Sequence, residues 1–216
     1  MNPKLAYLAG WLCGDGHFAN YGRHYLTKVS EKSVDQLVFL SQLVDYLFEI
    51  KPKIHHMYQG GWAMLINSKP LYRFLTKTLG LKVGEIPKFA DYLDDINLRN
   101  FICGVFDSEG YVNNTRPRVT ISQTRNKFLL KLIELSSKIG LKFNGPTQHR
   151  THLGTWYSIR IERGSEIQNF SKLISSHHID KSKKLENLIS KINNKNNQKR
   201  IGNRALGYGP SSNLVV

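Results

Sequence analysis

Leu8–Gly16 reads LAGWLCGDG, and Ile102–Gly110 reads ICGVFDSEG. Both stretches are apolar, carry a glycine near the start and end in a carboxylate followed by glycine. Gly10 matches Gly104, Asp15 matches Glu109 and Gly16 matches Gly110, each pair 94 residues apart. Self-similarity at such a spacing marks two similar halves, each with its own helix of this kind. Ala9, Gly10 and Gly14 cluster small side chains on one helix face, as do Cys103, Gly104 and Ser108. Small residues three and four apart let helix backbones approach closely. The runs are too short to span a bilayer, so they predict two helices packed on each other at the centre of the protein. Packed about a two-fold axis, they bring Asp15 and Glu109 together at one end.

Two carboxylates forced together raise each other's pKa unless a cation joins them. Hard oxygen ligands at a shared site suit Mg²⁺, which binds through one or two carboxylates, water and substrate phosphate oxygens. Metal ions there can stabilise the attacking and leaving oxygens of a phosphodiester. An acid at a helix C-terminus also opposes the helix dipole. That penalty, repeated at matched positions, favours function over two ordinary turn ends.

These paired stretches resemble the signature helices of the LAGLIDADG homing endonucleases in their single-chain, two-repeat form. The first copy keeps Leu8, Ala9, Gly10, Asp15 and Gly16 of the motif; the second keeps Gly104, Asp107 and Gly110, with Glu109 at the second acid. Cys13 departs from the pattern at a position the family uses structurally. The resemblance implies an α+β fold of two pseudo-symmetric αββαββα repeats, joined by the central helix pair. Its antiparallel sheets would form a DNA-binding saddle. It further implies metal-dependent cutting of both strands of a long asymmetric DNA target by a monomer, short 3′ overhangs, and mobility of the encoding intron. Mg²⁺ is the expected cofactor, with Mn²⁺ able to substitute. Backbone carbonyls at Gly14 and Ser108 would help Asp15 and Glu109 to hold it.

Composition agrees with a polyanionic partner. Of 216 residues, 31 are Lys or Arg against 16 Asp or Glu, a formal charge of +15. The charges are spread through strands and loops, not gathered on one amphipathic helix, which favours nucleic acid over a membrane surface. The two cysteines, Cys13 and Cys103, lie inside the apolar helices and read as reduced core residues. With no signal peptide or transmembrane run in view, the expectation is an intracellular protein of a prokaryote or an organelle. No splicing-domain sequence is recognised.

Read in order, Pro3–Gly14 predicts the first central helix. Hairpins follow at His17–Asn20 with Tyr25–Ser30 and at Lys53–Tyr58 with Trp62–Ile66, the latter around Gln59-Gly60-Gly61. A helix opened by Ser33 stands between them and one opened by Ser68 and Pro70 comes after. The second half repeats the order. Asp94–Phe106 is its central helix, and its hairpins are Tyr111–Asn114 with Arg118–Gln123 and Lys142–His149 with Thr155–Glu162. Its further helices are capped by Asn126 and begun by Ser165, and a last helix spans about Lys183–Ile192. The expected organisation is a first repeat over 1–87, a second over 88–193, and a basic, flexible tail over 194–216.

Alternation along the strands puts apolar residues on one face and polar ones on the other. A two-stranded ribbon fits the DNA major groove, where Arg, Lys, Gln and Asn read base edges. The candidates for DNA contact are Arg23, Tyr25, Lys28, Lys53 and His55 in the first half. In the second they are Arg116, Arg118, Thr120, Ser122, Gln148, Arg150 and Arg160. The family resemblance also implies a Gln-like group and a basic residue in each half. Gln123 fits the first role, its counterpart being Glu31 or Lys28 according to register. Lys82 and Lys181 occupy matching places for the second, with Lys88, Lys183 and Lys184 as competitors. The eight histidines make no convincing metal cluster. Two other functions suit the same saddle: an RNA-binding maturase for its own intron, and a regulator that binds DNA without cutting.

Overall fold

The structure is a computed structural model that describes residues 1–205 apart from Gln59 and Leu153, with side chains described as far as Lys195. Helix α1 (Pro3–Asp15) starts where Asn2 accepts a hydrogen bond from the Lys4 N–H at 2.9 Å, with proline in the first turn. Helix α4 (Asp95–Glu109) starts in the same way at Asp94, which accepts from the Asn97 N–H at 2.8 Å. From Ala6 to Gly14 every residue of α1 is buried, as are Leu98 and Phe101 to Asp107 of α4. Helices apolar on all sides belong inside a core, and these two cross each other at its centre.

The crossing is a contact of backbones. A Cβ at Gly10 would stand 2.0 Å from the Phe101 carbonyl oxygen, and one at Gly104 would stand 2.0 Å from that of Tyr7. The predicted small-residue faces are therefore the contact surface, with Gly10 and Gly104 in equivalent places. Gly16 and Gly110, which follow the two helices, are extended and not left-handed. A Cβ there would strike the Leu12 carbonyl or the Phe106 ring, so the glycines are required for space.

Each half then runs as predicted. Strands β1 (Gly16–Tyr21), β2 (His24–Glu31), β3 (Lys53–His56) and β4 (Trp62–Asn67) form an antiparallel sheet in the order β1-β2-β4-β3. Strands β5 (Gly110–Asn113), β6 (Arg118–Gln123), β7 (Asn144–Thr151) and β8 (Gly154–Ile161) repeat it as β5-β6-β8-β7. Helices α2 (Val34–Phe48) and α3 (Lys69–Arg73) complete the first αββαββα unit, and α5 (Asn126–Lys138) and α6 (Gly164–Leu173) complete the second. One core joins the central pair to the inner faces of both sheets, through Val29, Met64, Ile121 and Ile159 among others.

Several boundaries differ from expectation. Asn126 is the first residue of α5, with Arg125 in the capping position and no side-chain cap; Ser33 likewise makes no capping bond. The last helix, α7, runs Ile179–Ala205, so the expected tail begins as helix; residues 206–216 lie outside the described part, as do Gln59 and Leu153 of the predicted hairpin loops. No helix among the described residues is long and apolar enough to cross a membrane.

An added methyl at Gly10 meets main chain, which cannot rotate away. Gly10→Ala and Gly104→Ala are each expected to cost about 3 kcal/mol of stability, at the upper end for overpacking, measured by urea unfolding against the wild type.

Candidate active site

Asp15 and Glu109 end their helices at the same end of the crossing. Gly14 makes room for this: a Cβ there would lie 2.2 Å from Ser108 Oγ and 2.8 Å from Glu109 Cγ. Burial, and then the charge of Asp15, push the Glu109 carboxyl up to about 8, against the pull of Lys181 and of a hydrogen bond from Gln123. That bond runs from Gln123 Nε2 to Glu109 Oε1 at 2.7 Å. Asp15 reaches solvent, yet the packing around it still raises its pKa; Lys181 opposes this, and the charge of Glu31 adds to it.

Strand register decides the counterpart of Gln123. Gln123 pairs with Tyr157 two residues beyond the Ile121–Ile159 pair, and Glu31 pairs with Trp62 two residues beyond Val29–Met64. Gly16 faces Val29 just as Gly110 faces Ile121. Glu31, not Lys28, therefore occupies the equivalent place. Both side chains turn alike, each Oε1 accepting the next residue's backbone N–H at 2.7 Å. The amide of Gln123 can donate to an acid, whereas an ionised Glu31 can only accept; its Oε2 lies 3.9 Å from His178 Nε2.

Of the two expected lysines, the structure brings in one. Lys181, in the first turn of α7, places its ammonium on the carbonyl oxygens of Phe106 (3.2 Å), Asp107 (2.6 Å) and Ser108 (3.2 Å). A cation satisfying the last carbonyls of a helix also suits its dipole. Burial lowers the Lys181 pKa, while Asp107, Glu31, Asp15 and Glu109 pull it back. Lys82 does not converge on the acids: its side chain is largely exposed and pairs with Glu85 at 3.5 Å. The residue near it that touches the first helix is Gly84, whose N–H donates to the Cys13 carbonyl at 2.7 Å. Lys184 lines the cleft of about 320 Å³ that Glu31, His178 and Lys181 share.

Among the described residues no group of three or more His, Cys, Asp or Glu converges as a metal cage. The fit to a divalent cation rests instead on two neighbouring acids that burial raises in pKa, with the charge of Asp15 helping to carry Glu109 up to about 8. A hard cation relieves that repulsion and completes its shell with carbonyl and water oxygens. The Ser108 carbonyl already accepts from Lys181, so Lys181 and a metal would share it.

The outer sheet faces carry most of the other expected residues. Lys28 and Lys53 both pair with Leu65, and His55 lies on the same face two residues on. Arg118, Thr120, Ser122 and Arg160 share the outer face of the second sheet, where Glu162 pairs with Arg118 at 2.6 Å and Arg160 at 3.4 Å. Arg23 and Arg116 stand exposed in the β1–β2 and β5–β6 turns. Three of the expected residues lie off these outer faces. Tyr25 lies on the inner face of β2 and packs edge-on against Tyr72, ring centroids 5.4 Å apart. Gln148 and Arg150 lie opposite Tyr157 and Thr155, on the face away from Arg160. The cause is one extra residue in β7 between Asn144 and Thr147, which reverses the parity of everything after it. Thr147 and His149 take the outer face instead. His149 stacks on Trp156 at 3.9 Å and bonds Ser158 Oγ at 2.9 Å. Nothing in the alternation of side chains announces the bulge, although Gly145-Pro146 was a signal for it.

A family model described as homing endonuclease matches residues 85–197. The chain belongs to the homing endonuclease family. Its fold is that of I-DmoI, a homing endonuclease: a mesophilic variant superposes with a TM-score of 0.63, covering 82% of this chain and 97% of that one at 22% identity. I-DmoI in complex with DNA and Mn gives 0.60 over 81% and 98% at 21% identity. The N-terminal LAGLIDADG domain of DUF199/WhiA gives 0.55 over 81% and 83% at 16% identity. In sequence, the chain is 23% identical over 197 residues to the isomerizing glutamine–fructose-6-phosphate aminotransferase of Methanocaldococcus jannaschii. That match takes in 88% of this chain but only 18% of the aminotransferase, so the likeness lies in one segment of a much longer protein. An uncharacterized protein of the same organism is 25% identical over 212 residues, 73% of its length.

In the metal-free homing endonuclease fold, Glu109 costs stability as it ionises. Its folded pKa is raised, so the stability it contributes is whole below about 4.5 and is lost as pH rises toward about 8. Glu109→Gln keeps the shape without the charge. Thermal unfolding in chelator should show the variant gaining on the wild type at pH 8 and matching it near pH 5, and saturating Mg²⁺ at pH 8 should restore the wild type alone.

Proposed function

We propose that this chain is a monomeric, site-specific endonuclease that hydrolyses both strands of a long asymmetric DNA target, leaving short 3′ overhangs. In this reading its cutting promotes the mobility of the intron that encodes it. The observation that carries the proposal is the pair of acids, Asp15 and Glu109, brought to one end of a backbone-to-backbone helix crossing, where burial raises the pKa of both and the charge of Asp15 raises Glu109 further.

Asp15 and Glu109, with the carbonyls of Gly14 and Ser108, are the residues that would hold Mg²⁺ or Mn²⁺. The bound ion would supply charge neutralisation at the phosphate and a more acidic water. The protein's own groups do the rest. Gln123 orients Glu109 through its 2.7 Å hydrogen bond to Oε1. Lys181 brings positive charge to where negative charge develops on the phosphate. The outer faces, with Lys28, Lys53 and His55 on one sheet and Arg118, Thr120, Ser122 and Arg160 on the other, would follow the groove of the duplex. Arg23 and Arg116 extend them at the turns. The relatives whose structures hold DNA support this use of the fold.

The test uses wild type, Asp15→Asn and Glu109→Gln with DNA spanning the uninterrupted host site. Wild type should linearise supercoiled plasmid in Mg²⁺ or Mn²⁺ and leave it intact in chelator. Each variant should bind within a few-fold of wild type yet cut at least about 100-fold more slowly, the loss typical of removing one group that stabilises developing charge. Binding without cutting in either metal would favour a regulator, and tighter binding of intron RNA a maturase. Binding should also weaken linearly in log salt with a slope of about −0.9 per phosphate contacted.

A further inference from the structure

The helix repeat that matches Asp15 to Glu109 also matches Cys13 to Asp107, and here the two halves differ in kind. Asp107 is completely buried. Its carboxylate accepts from Tyr7 Oη at 2.9 Å, from the backbone N–H groups of His177 at 2.8 Å and His178 at 3.2 Å, and from Ser176 Oγ. All but the first of these donors lie in the segment that enters α7. The first turn of α7 carries Lys181, whose ammonium returns to the carbonyl oxygens of Phe106, Asp107 and Ser108. Asp107 thus closes a ring: its side chain fixes the segment that delivers Lys181, and its own carbonyl is the nearest acceptor of that lysine.

Among the described residues the first half shows no such ring. The thiol of Cys13 is packed in the core, and the segment carrying Lys82 meets the helix end through the Gly84 N–H, which donates to the Cys13 carbonyl. Lys82 turns outward, and both it and Arg125 pair with Glu85, at 3.5 and 2.8 Å. Where the helix carries an acid the lysine is held in; where it carries a cysteine the lysine stands out.

We infer that Asp107 is the positioning residue for Lys181, and that the exchange of acid for cysteine at position 13 makes the two strand cleavages unequal. The strand whose scissile phosphate lies beside Lys181 is cut faster. This rests on the endonuclease reading above. A buried carboxylate that gathers four nitrogen and oxygen donors is a rigid anchor, and rigid delivery of a charged group is what the chemistry of one strand gains and the other lacks.

The experiment follows each strand separately, on a duplex end-labelled on either strand, at saturating enzyme in Mg²⁺. Wild type should nick one strand first. Lys181→Ala should slow that strand by about 100-fold, the size typical of losing one positioned charged group, and leave the other within a few-fold. Asp107→Asn should slow the same strand by about tenfold or more, with DNA affinity unchanged, and add nothing in the Lys181→Ala background, because the two act as a unit. Ser176→Ala, which removes one donor and keeps both Asp107 and Lys181, should give a smaller loss on that strand, and it carries the test if Asp107→Asn fails to fold. Equal strand rates in wild type overturn the inference, as does loss on both strands alike or additivity with Lys181→Ala, while cutting itself persists. Cutting of neither strand by wild type overturns the endonuclease reading and this inference with it.

Discussion

Two carbonyl oxygens, of Tyr7 and Phe101, lie where any side chain at Gly104 or Gly10 would have to be. The rest of the structure depends on that closeness. Helices separated by ordinary side chains sit 8–10 Å apart; here main chain meets main chain, and the two acids that end the helices arrive at one place. Because the contact is made by atoms that every residue possesses, it fixes the geometry of the acids without asking much of neighbouring side-chain identity. What it demands is the absence of a side chain at two points.

That closeness also sets the electrostatics. Neither acid has a basic partner as strong as the burial it suffers, and Glu109 in particular is carried to about 8. The ammonium that acts on both acids, Lys181, is occupied by the carbonyls at the end of α4. The protein's own groups thus leave the site under-neutralised, which is the condition that favours a divalent cation over a simple salt bridge. Stability is given up at the end of the helix pair and recovered along its length, where nearly every side chain is buried.

Much of this was legible in the sequence, and for a physical reason. The duplicated run around Gly10 and Gly104 encodes a spacing of small residues, and such a spacing has few structural uses. Hairpins and helices followed from alternation and breakers, so the order of elements came out correctly in both halves. What escaped were features set at a distance. Tyr25 looked like a DNA contact because its type fits one, yet the β1–β2 pairing turns it toward Tyr72. Gln148 and Arg150 were misplaced by a single inserted residue upstream. Lys82 and Lys181 matched by position, but Lys181 reaches back to the carbonyls of α4 whereas Lys82 pairs outward with Glu85, contacts that no local stretch of sequence contains. The choice between Glu31 and Lys28 needed the register of two strand pairs, which no single strand contains.

The Arg118–Glu162–Arg160 cluster on the outer face bears on how the formal charge of +15 should be understood. Those two arginines already hold an anion supplied by the chain itself. A polyanion arriving at this face does not add charge pairs to a bare cationic surface; it exchanges with a resident carboxylate, as a counterion does on an ion-exchange resin. The face is therefore buffered: an anion of loose geometry gains little over Glu162, and only one that offers oxygens to both guanidinium groups at once competes well. Here a single glutamate turns a crude attraction into a threshold.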